Sequence, residues 1–123
     1  MFRLMVVDDS NIIRRKIQRC TAGEQFELVG TAANGAEALA RYDEWLPDVV
    51  TMDLTMPEMD GIQCIEKLIE RDPDLRILVV SALSDKATGI DALQKGAQGF
   101  LCKPFSEEQL AEALTELTED VYG

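Results

Sequence analysis

Three aspartates and one lysine stand directly after short apolar runs in the sequence, where a bound ligand could reach them. Asp8 and Asp9 follow the first of five such runs, Asp53 follows the third, and Lys103 follows the fifth. Carboxylates that converge repel one another unless a cation joins them. Oxygen ligands without His or Cys select a hard ion such as Mg²⁺, for which Mn²⁺ could substitute. Three carboxylates and one ammonium leave a net charge of −2, so one divalent cation would neutralise the site.

A phosphoryl group fits the chemistry of these residues. A carboxylate can attack phosphorus and form an acyl phosphate, and no general base is required because positioning and metal charge do most of the work. Asp53 would carry the phosphoryl group, Lys103 would offset its charge, and the hydroxyl of Ser81, which ends the fourth run, would donate a hydrogen bond to it. Such a bond to a charged acceptor is worth about 1.5–3 kcal/mol, which is enough to shift a two-state loop.

The composition excludes several other kinds of site. The 123 residues include no histidine, which rules out Ser-His-Asp and Cys-His catalysis and leaves any phosphohistidine to a partner. A formal net charge of −11 opposes direct binding to nucleic acid. No run approaches the ~20 apolar residues that span a bilayer, and the three cysteines form no Cys-x-x-Cys pattern. We therefore expect a cytoplasmic protein with reduced thiols and no membrane contact.

Strands that alternate with helices must position the charged residues. The five apolar runs predict strands, each followed by a segment of helical spacing. The predicted strands are Leu4–Val7, Phe26–Thr31, Val49–Met52, Ile77–Val80 and Gly99–Cys102, and the predicted helix caps are Asn34, Asp60 and Ser106. Strict alternation predicts an α/β three-layer sandwich with a parallel five-stranded sheet between two layers of helices. We take the strand order 2-1-3-4-5 of the flavodoxin-like (βα)5 fold, in which the first and third strands are neighbours. The carboxyl ends of its strands share one rim, where ligands bind.

Four motifs, in order along the chain, resemble the receiver domain of two-component response regulators. They are Val6–Ser10, Met52–Gly61, Ser81–Ala82 and Lys103–Phe105. The match runs over essentially the whole chain, so the resemblance implies one receiver domain spanning residues 1–123. It also implies that a sensor histidine kinase, or its phosphotransfer domain, phosphorylates Asp53.

The resemblance implies a role for each residue of the site. Asp9 and Asp53 would bind Mg²⁺ directly, together with the backbone carbonyl of Thr55, while Asp8 would act largely through water. Lys103 would pair with the phosphoryl group. The peptide bond that follows this lysine is often cis in the family.

Three further residues are expected to shape the loops around the site. Pro57 and Gly61 break the chain between the third strand and the third helix, which shapes the loop beside Asp53. Pro104 follows Lys103 and shapes the last loop.

The output of the domain would depend on a switch. By resemblance, Ser81 and Ala82 bind the phosphoryl group and move, and Phe100 matches an aromatic position that turns inward in response. The model chemotaxis regulator has tyrosine at that position, so phenylalanine here removes any signal from a ring hydroxyl. Phe100 is equally typical of an ordinary core residue in a short strand. Effector proteins would read the fourth helix (about Asp85 to Lys95), the fifth strand and the fifth helix.

A basic cluster on the first predicted helix allows two interpretations. Arg14, Arg15, Lys16 and Arg19 stand close together in an acidic protein. They are typical of a solvated helix face. The alternative is that they dock the kinase, because they follow Asp9 closely.

Two other functions share this architecture. A flavin electron carrier needs a hydroxyl- and glycine-rich phosphate loop after the first strand, where Asp8 and Asp9 would repel the flavin phosphate. An aspartate-nucleophile phosphatase would want a second carboxylate two positions after its nucleophile, where Thr55 stands. We therefore expect a phosphoacceptor that assists its own phosphotransfer and slow autodephosphorylation, not an enzyme with other substrates.

The subclass rests on one loop. Residues Thr51–Gly61 are especially similar to stand-alone chemotaxis regulators of the CheY type, whose phosphorylated form would bind a flagellar motor switch protein. Two alternatives stay open: a phosphorelay carrier or phosphate sink, and a receiver domain cut from a larger transcriptional regulator.

Overall fold

One parallel sheet with helices on both faces organises the chain. The structure is a computed structural model that describes residues 2–23, 25–54, 61–82 and 86–119. Its strands are β1 (Phe2–Val7), β2 (Phe26–Ala32), β3 (Val49–Met52), β4 (Arg76–Ala82) and β5 (Gly99–Lys103). Its helices are α1 (Asn11–Cys20), α2 (Gly35–Trp45), α3 (Gly61–Arg71), α4 (Lys86–Gln94) and α5 (Glu107–Thr118). The strand order β2-β1-β3-β4-β5 confirms the predicted topology.

The central strands are buried on both faces, which explains their unbroken apolar sequences. Alternate side chains of β1 enter two different cores, because successive residues of a strand point to opposite faces. Met5 joins a core together with Leu68 of α3, whereas Leu4 joins a second core with Ile17 of α1 and Leu114 of α5. The two cores make the predicted three-layer sandwich.

Polar caps fix where the helices begin. Asn34 accepts a hydrogen bond from the Glu37 amide at 2.8 Å. Ser106 and Gln109 form a reciprocal capping box at the start of α5. These two predicted caps are confirmed, and the third, Asp60, lies outside the described residues.

The cysteines are free thiols, as expected. Burial, and to a smaller extent the negative charge of Glu107, raises the pKa of the Cys20 thiol. A raised pKa keeps a thiol protonated and poorly reactive. Among the described residues, no helix has both the length and the apolar character that crossing a membrane demands.

The strand pairing carries the charged residues to a single rim. Val7 pairs with Met52 across β1 and β3, and the Asp53 amide donates to the Val7 carbonyl at 2.9 Å. Ala82 pairs with Lys103 across β4 and β5. The residues that follow β1 and β3 and those that end β4 and β5 therefore share one edge of the sheet.

Candidate metal and phosphoryl site

Three carboxylates converge where β1 and β3 end. Asp8, Asp9 and Asp53 each place one oxygen within 4.8 Å of the others. Asp8 is 1% exposed and Asp53 is 4% exposed, whereas Asp9 is open to solvent. Together with Lys103 they form the carboxylate rim, in which Asp9 is the aspartate that faces solvent.

The charges of the carboxylate rim are only partly balanced by the described residues. The Lys103 ammonium lies 2.9 Å from Asp8 Oδ2 and 3.7 Å from Asp53 Oδ2. Asp8 Oδ1 accepts a hydrogen bond from the Ser10 amide at 2.9 Å. Asp8 Oδ2 is buried and accepts no hydrogen bond within the described part of the chain, so its contact with the ammonium is ionic rather than an aligned hydrogen bond.

This arrangement suits a divalent cation. Buried carboxylates are costly unless they are paired, and one ammonium cannot neutralise three of them. The donors are all carboxylate oxygens, which Mg²⁺ prefers. Asp8 Oδ2 has the Lys103 ammonium at 2.9 Å but, among the described residues, no aligned hydrogen bond, so it would still accept one from a metal-bound water.

Ser81 lies at the same rim, where it is buried within a strand and is not a solvated turn residue. It belongs to β4, pairs with Cys102, and its exposed fraction is 0%. Ala82, which follows it, is exposed beside Lys103 in the strand register. The fourth strand therefore runs up to the rim and ends there.

Gly61 packs against the backbone that follows β3. A Cβ atom at this position would lie 2.4 Å from the Asp53 carbonyl oxygen and 2.8 Å from Leu54 Cα. Any side chain there would push the Asp53 segment away.

Three other residues are predicted from the sequence in or beside the loops of the site. Thr55 and Pro57 lie outside the described residues. The bond between Lys103 and Pro104 is a cis peptide.

Phe100 belongs to β5, and its ring packs against α4. A Cβ atom at Gly89 of α4 would lie 2.1 Å from Phe100 Cε2, so the glycine makes room for the ring. The pair borders an apolar cavity of about 220 Å³ that Ile90, Leu93 and Cys102 also line. The sequence signal for Gly89 is a glycine inside a helix, which costs about 1 kcal/mol relative to alanine and suggests a packing reason.

The basic cluster of α1 divides into two halves. Arg15 and Arg19 are exposed, as a solvated face requires. Arg14 instead donates to the backbone carbonyl of Asp8, and Lys16 donates to the backbone carbonyl of Phe105. The sequence did not reveal that these two cations face the loops of the site.

Known proteins resemble the chain in sequence and in fold. The model of the response regulator receiver domain matches residues 4–115. The chemotaxis protein CheY of Listeria monocytogenes is 40% identical over 114 residues, which cover 93% of this chain and 96% of that protein. The chemotaxis protein CheY of Thermotoga maritima is 39% identical over 117 residues, which cover 95% and 98%.

A solved structure extends the similarity to three dimensions. It is the crystal structure of a CheX–CheY–BeF3–Mg²⁺ complex from Borrelia burgdorferi. The TM-score is 0.87 at 34% identity, and the match covers 94% of this chain and 87% of the matched one.

Proposed function

Because the chain belongs to the response regulator receiver domain family and is a phosphoacceptor of two-component signalling, we propose that Asp53 is the residue that accepts the phosphoryl group. The observation that carries this proposal is the convergence of three carboxylates, with Lys103 between two of them, at the ends of two neighbouring strands. Asp53 is the central choice, since it follows the middle strand of the sheet and contacts the same ammonium as Asp8.

Receiver domains bind Mg²⁺, and the carboxylate rim has suitable ligands for it. Asp9 and Asp53 would hold the ion directly, the Thr55 carbonyl would complete the set, and Asp8 would act through water. When bound, the ion neutralises carboxylate charge and orients phosphoryl oxygens. Mn²⁺ would substitute, because it takes the same oxygen ligands.

The chain's own residues perform the transfer by position and charge. A carboxylate oxygen of Asp53 forms a bond to phosphorus while the bond from phosphorus to the donor nitrogen breaks and leaves its electron pair on that nitrogen. The Lys103 ammonium offsets the added negative charge, and the Ser81 hydroxyl donates to a phosphoryl oxygen. Slow hydrolysis of the resulting acyl phosphate would return the domain to its resting state.

The output switch would couple this rim to α4 and β5. Movement of Ser81 and Ala82 toward the phosphoryl group would free space for Phe100 to turn inward. Support comes from the Phe100 ring, which packs against Gly89 and borders an apolar cavity. Replacing Gly89 with alanine would displace the ring, so effector binding should lose part of its dependence on phosphorylation.

CheY-like receiver domains interact with histidine kinases and with effector proteins. For this chain we favour a chemotaxis-type system in which the phosphorylated form binds a flagellar motor switch protein, in line with its CheY-named relatives. We also propose that residues 1–123 form one receiver domain, which the match over residues 4–115 supports. A phosphorelay carrier or phosphate sink would instead pass its phosphoryl group to a second histidine protein. A receiver domain of a larger transcriptional regulator would instead be found as part of a longer chain.

Intact mass spectrometry tests the assignment of Asp53. Acetyl phosphate with Mg²⁺ should add one phosphoryl group to the wild type, and chelation of the metal should prevent it. Asp53→Asn should add none, while Asp43→Asn, which changes an exposed aspartate on α2, should react like the wild type. Labelling that persists in Asp53→Asn would refute the assignment.

A further inference from the structure

Two cations on one turn of α1 bind backbone carbonyls on either side of the site, one at the end of β1 and one in the loop that follows β5. The guanidinium of Arg14 donates to the Asp8 carbonyl, at the end of β1. The ammonium of Lys16 donates to the Phe105 carbonyl, in the loop between β5 and α5. Both side chains are half-buried, in contrast to Arg15 between them.

Lys16 makes a double contact with its loop. Besides the hydrogen bond, its ammonium lies 4.5 Å from the centroid of the Phe105 ring, a cation–π distance. The ring is 3% exposed and belongs to the core between α1 and α5. A charge-assisted hydrogen bond is among the stronger single contacts of a folded chain. Lys16 therefore holds Phe105 from both its backbone and its side chain.

Phe105 stands two residues after Lys103, and the intervening loop is short. β5 ends at Lys103 and α5 begins at Glu107, so only three residues separate the two elements. A displacement of the Phe105 carbonyl cannot be absorbed over so few residues without moving the backbone of Lys103. The contact between α1 and this loop therefore restrains the backbone that leads to Lys103.

We propose that Lys16 is a positioning residue, which acts through Phe105 to hold the ammonium of Lys103 against Asp8 and Asp53. The proposal rests on the role of Lys103 given under the proposed function. With Arg14 holding the Asp8 loop, one turn of α1 sets the distance between the carboxylates and the ammonium.

The two roles of Lys103 predict opposite changes in Mg²⁺ binding and in phosphorylation when its position is loosened. Its ammonium lies against Asp8 and Asp53 and therefore competes with a metal ion for these oxygens. The same ammonium would offset charge on the incoming phosphoryl group. Loss of the Lys16 contact should consequently strengthen Mg²⁺ binding and slow phosphorylation, whereas general damage to the fold would weaken both.

The test uses Lys16→Met, which keeps the length of the side chain and removes its charge and hydrogen bond. Lys16→Arg restores a cation, and Arg15→Met removes an exposed neighbouring charge as the matched control. Mg²⁺ affinity is measured by titration calorimetry. The rate of phosphorylation by acetyl phosphate at saturating Mg²⁺ is measured by intact mass, so that no kinase docking is involved.

We expect Lys16→Met to bind Mg²⁺ about two- to fivefold more tightly and to be phosphorylated about fivefold more slowly. Both changes are smaller than the effect of losing a whole charged hydrogen bond at the site itself, because Lys16 acts through Phe105. Lys16→Arg should recover most of both values, and Arg15→Met should match the wild type. The proposal is overturned if Lys16→Met changes neither quantity, if it lowers both, or if Arg15→Met reproduces its effects. A wild type that takes up no phosphoryl group would instead refute the proposed function.

Discussion

Two polar clusters of this molecule are built in opposite ways. The α2–α3 cluster consists of Tyr42, Asp43, Arg71 and Asp72, and its charged and polar atoms have close partners. The Tyr42 hydroxyl donates to Asp72 Oδ2 at 3.0 Å, the Asp74 amide donates to Asp72 Oδ1 at 3.0 Å, and Arg71 Nη1 lies 2.9 Å from Asp43 Oδ2. The carboxylate rim instead combines three carboxylates, two of them buried, with one ammonium.

The difference separates a stabilising cluster from a reactive one. Nearly all buried polar atoms in folded proteins have hydrogen-bond partners, so an exception needs a reason. Asp8 Oδ2 is such an exception within the described part of the chain, because its partner, the Lys103 ammonium at 2.9 Å, makes an ionic contact without an aligned hydrogen bond. We therefore expect the α2–α3 cluster to stabilise the fold, and the carboxylate rim to lower the stability of the metal-free fold while its oxygens stay available to a cation.

Removing the ammonium should produce the largest effect. Lys103→Met leaves the carboxylates of Asp8 and Asp53 without their cation, and the loss of one partner of a largely buried ion pair typically costs about 3 kcal/mol. We expect the metal-free unfolding free energy to fall by about 2–3 kcal/mol and Mg²⁺ to restore most of it, since the ion supplies the missing charge. Urea unfolding with a chelator and with Mg²⁺ measures both values.

A surface pair provides the control for that experiment. Lys95 lies 3.3 Å from Glu66 with both side chains well exposed. Lys95→Met should change stability by less than about 1 kcal/mol and should respond to Mg²⁺ like the wild type. Equal losses in the two variants would show that the rim is an ordinary surface ion pair.

The second-largest effect on stability should come from alkaline pH, which should weaken the α2–α3 cluster. Burial, then the hydrogen bond and charge of Asp72, raises the pKa of Tyr42 from 10.0 to about 12. Below pH 10 the phenol is protonated in both the folded and the unfolded chain, so its contribution is fully present there. As the pH rises toward 12, the unfolded chain ionises first, and stability should fall by up to about 2–3 kcal/mol.

Tyr42→Phe isolates this effect. At neutral pH the variant should be about 1 kcal/mol less stable than the wild type, because it loses the hydrogen bond to Asp72. Between pH 10 and 11.5 the difference should shrink and then change sign, since only the wild type loses stability as the phenol of its unfolded chain ionises. If the stabilities of the two proteins changed in parallel over that range, the result would contradict a raised pKa of Tyr42 in the folded chain.

The smallest effect should come from the exposed pair of the same cluster. Asp43→Asn removes the charge that faces Arg71, and exposed pairs contribute little. We expect a loss of at most about 0.5 kcal/mol in urea unfolding. A loss several times larger would mean that the charge balance of this cluster matters as much as that of the rim.

The sequence predicts the fold because apolar strand segments and segments of helical spacing alternate along the chain. The run Val49–Met52 coincides with β3, since a strand buried on both faces must be apolar throughout. The parallel order then brings Asp8 and Asp53 together without any knowledge of their side-chain contacts. Convergence of the carboxylates is thus a consequence of the strand order, which makes β1 and β3 neighbours.

Contacts made by long side chains are not predictable in the same way. Arg14 and Lys16 stand beside the exposed Arg15 in the sequence, and only the placement of two distant loops decides which cations turn toward the site. The fit between Gly89 and the Phe100 ring likewise depends on how α4 packs on β5. Such features depend on tertiary geometry, which a single sequence does not contain.

The dependence of stability on Mg²⁺ tests the central claim most directly. Above its dissociation constant, the ion should raise the unfolding free energy of the wild type by about 1.4 kcal/mol for each tenfold increase in concentration. Asp53→Asn should be more stable than the wild type in chelator, by about 1–2 kcal/mol, because one buried like charge is gone. It should also gain little from Mg²⁺. A wild type indifferent to Mg²⁺, or an Asp53→Asn variant that is less stable without metal, would contradict the account.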